Sequence, residues 1–302
     1  MTQVWQSERL FFDGDDYFAD LFAMLASAKQ TVLIEAFIFR PDPIGRRMEM
    51  ALRTAAKRGV RVKLLVDGIG SLGWIGQIDP DLQKDGVMVR IYHPVAWANL
   101  VPRWDRKNAP TLVARLNRRT HRKIAIIDDR IAYVGSVNVT AEHSRVTSGP
   151  LAWRDTVLRV EGTPVQDLVT AFDNVWRRSH DTRGRRRWRD SLPGERTFPR
   201  PSPLVRLNFT MRLRFRGASQ LLTLISASRK KLWITNAYFA PSHAIVRAIL
   251  EAAKHGADVR VLVPRNSDVF FMPWVATSHY KQLLKAGVRV YEYLPRFLHA
   301  KT

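Results

Sequence analysis

His121 and Lys123 stand two residues apart, directly ahead of four apolar residues, Ile124, Ala125, Ile126 and Ile127. In an extended chain, residues two apart project to the same side, so an imidazole and an ammonium leave this strand together. The text continues to Asp128 and, after a second apolar stretch, to Gly135, Ser136 and Asn138, giving the spacing His-x-Lys-x4-Asp-x6-Gly-Ser-x-Asn. Ser136 and Asn138 are again two apart, and Gly135 permits a close backbone approach. An imidazole, an ammonium, a hydroxyl and an amide converging on one place describe a phosphate site. Lys123, Ser136 and Asn138 would hold the phosphate oxygens while the imidazole attacks phosphorus. A phosphodiester opened by a nitrogen nucleophile also needs an acid to protonate the departing alkoxide. His299-Ala300-Lys301 repeats the His-x-Lys spacing and offers a second imidazole, with Lys301 as a second phosphate-binding cation.

Asp128 joins the catalytic set by its place in the motif, as a supporting or fold-stabilising carboxylate more than a proton carrier. The sequence has no HExxH, no run of clustered His and Asp and no glycine-rich phosphate loop. The chemistry described needs no metal, so neither metal nor other cofactor is expected. There is no cysteine, which excludes disulfides, thiol nucleophiles and thiolate metal sites.

The elements that must position these residues occur twice. A strand at 31–39 (TVLIEAFIF) is followed by Asp42-Pro43, an N-cap and first-turn proline. Ile44, Met48, Ala51, Leu52 and Ala55 then recur at helical spacing, and Gly59 is placed to end the helix. Strands follow at VRVKLLVDG and at 86–92. The second copy reads KLWITNAYFAP, a helix from about Ser242 ending at Gly256, a strand at 259–264, and a strand at 287–293. Gly59 and Gly256 are 197 apart, and Gly86 and Gly287 are 201 apart. Near-constant offsets across several elements indicate a duplicated α/β unit.

Across 302 residues, 49 Lys and Arg face 27 Asp and Glu, a formal net charge of +22. Such a surface attracts polyanions: nucleic acid, anionic lipid headgroups or a phosphate-rich substrate. The first residues lack a basic stretch leading into an apolar run, so no signal peptide is expected. No segment reaches the roughly 18 apolar residues that cross a bilayer, so any membrane role is expected to be peripheral.

The motif around His121 resembles that of the phospholipase D superfamily at every fixed position. The stretches IFRPDPIGRRMEMAL, RVKLLVDGIGS, RRTHRKIAIIDDRIAYVGSVNVTAEH and AGVRVYEYLPRFLHAKT are similar to bacterial cardiolipin synthases, in the short branch without transmembrane helices. The resemblance implies two duplicated phospholipase D-like α/β/α sandwich domains around a mixed sheet, whose two His-x-Lys halves face each other across a pseudo-two-fold axis. It implies a phosphohistidine on one histidine and general acid and base work by the other. His121 is assigned as nucleophile and His299 as acid/base; the pair is fixed by the resemblance more firmly than the order. Asp155, in WRDTVLRV, matches the carboxylate that orients the first histidine. The implied reaction moves a phosphatidyl group from phosphatidylglycerol, or a related phospholipid, to an alcohol, making cardiolipin with glycerol as product. The implied place is the bacterial inner membrane, peripherally, on its cytoplasmic face.

The expected organisation is a first domain over residues 1–176, a basic proline-containing linker over 177–206, and a second domain over 207–302. The second motif stops at Thr302, so its Asp and Gly-Ser-x-Asn are expected to be missing, the second domain to be truncated there, and the 302-residue chain by itself to be inactive or nearly so. An insertion between Tyr92 and His121 mixes Trp97, Leu100 and Trp104 with Arg103 and Arg106, a composition suited to contact with anionic phospholipid at a membrane interface. Two rivals stand beside the synthase: a hydrolase or nuclease with the same catalytic parts, the charge then serving a nucleic-acid backbone, and a non-catalytic binder of membrane or nucleic acid.

Overall fold

The computed structural model describes residues 4–76, 79–94, 119–179, 204–205 and 211–302. In chain order these form β1 (Ser7–Phe11), α1 (Gly14–Ser27), β2 (Thr31–Ala36), α2 (Pro43–Lys57), β3 (Arg61–Asp67), α3 (Asp79–Lys84) and β4 (Met88–Tyr92). Then come β5 (Ile124–Ile127), β6 (Ile131–Gly135), α4 (Arg145–Ser148), β7 (Val157–Glu161), α5 (Val165–Arg178) and α6 (Met211–Ser226). The rest are β8 (Lys231–Thr235), α7 (His243–Lys254), β9 (Asp258–Pro264), α8 (Met272–Ser278), α9 (Tyr280–Lys285) and β10 (Arg289–Tyr293). The chain divides into two units, one of residues 1–11, 15–141 and 157–205, the other of 12–14, 142–156 and 206–302. Residues 142–156, read from sequence as part of the first domain, group with the second unit.

The first unit is built on a seven-stranded mixed sheet ordered β1-β7-β6-β5-β2-β3-β4. Strands β2, β3 and β4 run parallel, and β5, β6, β7 and β1 continue antiparallel. All six residues of β2 are buried, because helices cover both faces of the sheet. Val32, Ile34, Val62, Leu64 and Val66 share a core with Phe18, Leu21 and Leu25 of α1 and Met48 and Leu52 of α2. From the opposite face Lys63 reaches Asp173 of α5 at 2.9 Å, so the period-2 alternation of one strand serves two layers. The strand expected at 31–39 ends at Ala36; Phe39 keeps only an isolated bridge to Val139. Helix α2 begins where the cap text placed it, with Asp42 Oδ1 accepting from Gly45 N at 2.9 Å. Gly59 follows in the left-handed region, φ +89°, which a Cβ would strain.

The second unit repeats the parallel part of that plan. Its sheet is ordered β10-β9-β8, all parallel, as β4-β3-β2 is. Helix α7, capped by Ser242, packs Ile249 and Ala252 against Val259, Val261 and Val263 of β9. Residues 300–302 then lie antiparallel beside the free edge of β8: Thr235 and Thr302 exchange backbone bonds of 2.7 and 3.0 Å, and Asn236 bridges Lys301. In the first unit β5 lies antiparallel beside β2 in the same place. The membrane-contact candidates Trp97, Leu100, Arg103, Trp104 and Arg106, and most of the expected linker, lie outside the described residues.

Candidate active site

In the first unit the half-site lies at the end of the sheet where β2 and β3 finish and β5 begins. Arg122, the middle residue of His-x-Lys, is the anchor. Its Nε and Nη2 donate to the buried Glu35 of β2 at 3.0 and 2.7 Å, and Thr120 Oγ1 donates to the same carboxylate. Thr120 N also donates to Asp67 Oδ2, at the end of β3, at 3.1 Å. With Thr120 and Arg122 turned inward, strand alternation turns His121 and Lys123 the other way. The His121 ring stacks on Phe37, centroids 4.0 Å apart, and Lys123 Nζ lies 4.9 Å from the same ring while donating to the His121 carbonyl at 2.8 Å.

Ser136 and Asn138 are buried just past β6, whose antiparallel pairing with β5 (Ile124 opposite Val134) brings them to the same sheet end. Asn138 Oδ1 accepts from Ile38 N at 3.3 Å, tying the amide to the segment that carries Phe37. Asp128 is different. It sits in the turn between β5 and β6 with φ +50°, at the opposite end of β5 from His121, and accepts from the backbone N–H groups of Lys29, Gln30 and Thr31 at 3.0, 2.7 and 2.9 Å. Burial raises its carboxyl pKa, but these bonds outweigh it and the net shift is downward. Asp128 thus ties the β5–β6 turn to the start of β2, the fold-stabilising part expected of it.

The second unit assembles the other imidazole. Residues 154–155 run parallel to 297–299: Arg154 N donates to the Phe297 carbonyl at 2.8 Å, and His299 N to the Arg154 carbonyl at 2.8 Å. That register sets Asp155 Oδ2 2.7 Å from His299 Nδ1, both side chains buried. The expectation that Asp155 orients the first histidine is corrected; its hydrogen-bonded imidazole is that of His299. A carboxylate only accepts, so Nδ1 donates to Asp155, and Nε2 is the ring nitrogen that this bond leaves unused. Asp155 Oδ1 accepts from Thr156 N at 2.8 Å, which fixes the carboxylate plane. Trp153, Phe297 and Tyr238 surround the His299 ring, with centroids 5.2, 5.9 and 5.9 Å away. Lys301 repeats Lys123: Nζ donates to the His299 carbonyl at 2.5 Å and lies 5.0 Å from the Tyr238 ring. Burial, then the charge and hydrogen bond of Asp268, raise the Tyr238 phenol well above its usual range, so it stays a neutral donor to Asp268.

Buried His143 completes this cluster, its Nδ1 3.5 Å from Asp155 Oδ2. His143, Asp155 and His299 present ligand atoms within 4.8 Å of one another, a set of two imidazoles and a carboxylate able to hold a divalent metal. Sequence reading missed His143, as it missed Glu35. The text AEH carries no spacing that points to Asp155, and Glu35 sits in a strand that otherwise reads as plain core.

These features are a histidine held by a carboxylate, a stacked histidine, and two lysines in like surroundings. They accompany a match to the family described as cardiolipin synthase, PLD-like domain, over residues 21–176 and 221–302. The chain belongs to that family. It is 31% identical over 312 aligned residues to cardiolipin synthase B of Salmonella typhi, covering 97% of this chain and 68% of the relative. It is 31% identical to a cardiolipin synthase of Clostridium perfringens, covering 97% of this chain and 60% of that one. The solved structure of phosphatidylserine synthase from Haemophilus influenzae shares the fold, with a TM-score of 0.71 at 13% identity, over the whole of this chain and 76% of that one. Among the described residues of this family member, no helix is long and apolar enough to cross a membrane.

Proposed function

We propose that this chain is a phosphatidyltransferase of the phospholipase D type, which joins two phosphatidylglycerol molecules, or a related donor and acceptor, into cardiolipin. The observation that carries this reading is the repeated construction of the His-x-Lys pair. In each unit a lysine bonds the carbonyl of its own histidine over an aromatic ring, beside the first strand of a like-ordered sheet. Membership of a family whose relatives are cardiolipin synthases supplies the substrate class.

In this reading His299 starts as the imidazolium, with one proton on Nδ1 toward Asp155 and a second on Nε2. His121 attacks the phosphorus of the donor, the bond from phosphorus to the glycerol oxygen breaks, and His299 gives that oxygen the Nε2 proton. The acceptor hydroxyl then attacks phosphohistidine, its proton returns to His299, and the bond to His121 breaks. Lys123, Lys301, Ser136 and Asn138 bind the phosphate oxygens, whose charge grows in each transition state. The domain organisation that goes with this reading is 1–176 and 207–302 about a basic linker at 177–206. Its setting is the surface of the bacterial inner membrane, on the cytoplasmic side.

The test is a purified protein carrying this sequence, given phosphatidylglycerol vesicles without added metal, with products separated by mass spectrometry. Cardiolipin and free glycerol in equal amounts are expected, and a His121→Ala variant of unchanged melting temperature should make neither. Phosphatidic acid as the sole product would make the protein a hydrolase. Indifference to lipid together with DNA cleavage would make it a nuclease.

A further inference from the structure

Three aromatic side chains stand exposed together in the second unit. Phe270 is 76% exposed, Phe271 46% and Trp274 68%. They pack edge-on against one another, with Phe270 5.5 Å from Phe271 and 5.9 Å from Trp274. The local chain holds them in that position. Val269 N donates to Ser267 Oγ at 3.1 Å and Met272 N to the Val269 carbonyl at 3.0 Å, a tight turn into α8. Helix α8 buries Ala276 in the core of the unit, which leaves Trp274, in the first turn, facing out. Burying such rings takes apolar surface out of water, so three left exposed side by side mark a contact surface.

Two further observations say what covers it. Residues 206–302 carry sixteen Lys and Arg against four Asp and Glu, so the unit bearing the rings attracts anionic surfaces. The turn is also tied to the half-site. Asp268, two residues before Phe270, accepts from the Tyr238 hydroxyl at 3.0 Å, and the Tyr238 ring lies against His299 and beneath Lys301 Nζ. A phospholipid enzyme must draw its substrate from a bilayer, where aromatic rings settle at headgroup depth and cations meet anionic lipid.

We infer that Phe270, Phe271 and Trp274 form a membrane-docking turn that enters the headgroup layer of an anionic bilayer and delivers phospholipid to the His299 half-site. This rests on the proposed phosphatidyltransferase reading for its substrate, and its test separates the two. The protein carrying this sequence is compared with the variants Phe270→Ser and Phe270→Ser/Trp274→Ser. One assay is sedimentation with vesicles of phosphatidylglycerol and phosphatidylcholine. The other is turnover of dihexanoyl phosphatidylglycerol below its micellar concentration. Removing one buried ring should weaken vesicle partitioning about tenfold or more, and removing two should weaken it further. Turnover of the monomeric lipid should stay within about twofold, since these rings touch no reacting atom.

Vesicle binding unchanged in both variants would overturn the inference. So would a wild-type protein that ignores phosphatidylglycerol vesicles, whatever it does to monomeric lipid. A wild-type protein that binds vesicles through these rings yet turns over no lipid would refute the proposed chemistry and leave the docking turn standing. Wild-type self-association that the double variant abolishes, without a change in vesicle binding, would assign the rings to a second copy of the chain instead.

Discussion

Replacing Asp155 by asparagine changes one atom of a buried pair, and the structure fixes how that change is felt. Asp155 Oδ1 accepts from Thr156 N at 2.8 Å, and Oδ2 lies 2.7 Å from His299 Nδ1. In Asp155→Asn the amide oxygen stays with the Thr156 N–H, since only an acceptor fits there, and the NH2 group turns to His299. A donor facing Nδ1 drives the histidine proton to Nε2, the wrong tautomer for a group that must take a proton at Nε2. The alternative orientation restores the tautomer but sets a donor against the Thr156 N–H. Either way a charge-assisted bond worth roughly 1.5–3 kcal/mol is lost. The same exchange in the histidine–aspartate pair of a serine protease lowers kcat by about 10⁴. We expect a fall in kcat of about 10²- to 10⁴-fold, or roughly 3–5.5 kcal/mol, with a melting temperature lowered by only a few degrees, as the loss of that one bond implies. The assay is cardiolipin formation from phosphatidylglycerol vesicles, with nitrogen-15 imidazole NMR reporting the His299 tautomer. A variant within fivefold of wild type, or an unchanged tautomer alongside lost activity, would refute this account of Asp155.

Three other perturbations follow from the same geometry. Arg122→Met leaves the Glu35 carboxylate buried without its bidentate partner and should cost about 3–5 kcal/mol in urea unfolding; a loss under about 1 kcal/mol would show the pair to be dispensable. The Asp128 pKa is lowered by hydrogen bonding, so its stabilisation is present above the ordinary carboxylate pKa of about 4 and is lost as pH falls through the lower folded value. The stability gap between wild type and Asp128→Asn should accordingly be largest near neutrality and shrink in acid, and a gap independent of pH contradicts the assignment. Lys123→Met and Lys301→Met should each lower kcat/KM by about 10²-fold, the loss of one phosphate-oxygen donor in the transition state, while vesicle sedimentation stays unchanged.

What could be read from the text alone was local. Ile124–Ile127 between His-x-Lys and Asp128 reads as a buried strand because four apolar residues in a row have only one way to avoid water. Asp42-Pro43 marks the start of α2, and Gly59, Gly86, Gly256 and Gly287 all adopt positive φ. Each is a statement about a few consecutive residues, and the duplicated order β2-α2-β3-β4 and β8-α7-β9-β10 follows from setting those statements side by side. Where a partner lies far along the chain, local text is silent. Glu35 and Arg122 are separated by 87 residues, and Asp155 and His299 by 144. Asp155 looked like a partner for the first histidine because it follows the first motif, yet the parallel pairing of Arg154 with Leu298 sets it on the second. Asp128 reads from its spacing as a supporting carboxylate, and only the return of residues 29–31 past it shows which backbone groups it holds. A side chain's type limits what it can bond; which group it meets is decided by strand register and sheet order, which consecutive residues do not encode.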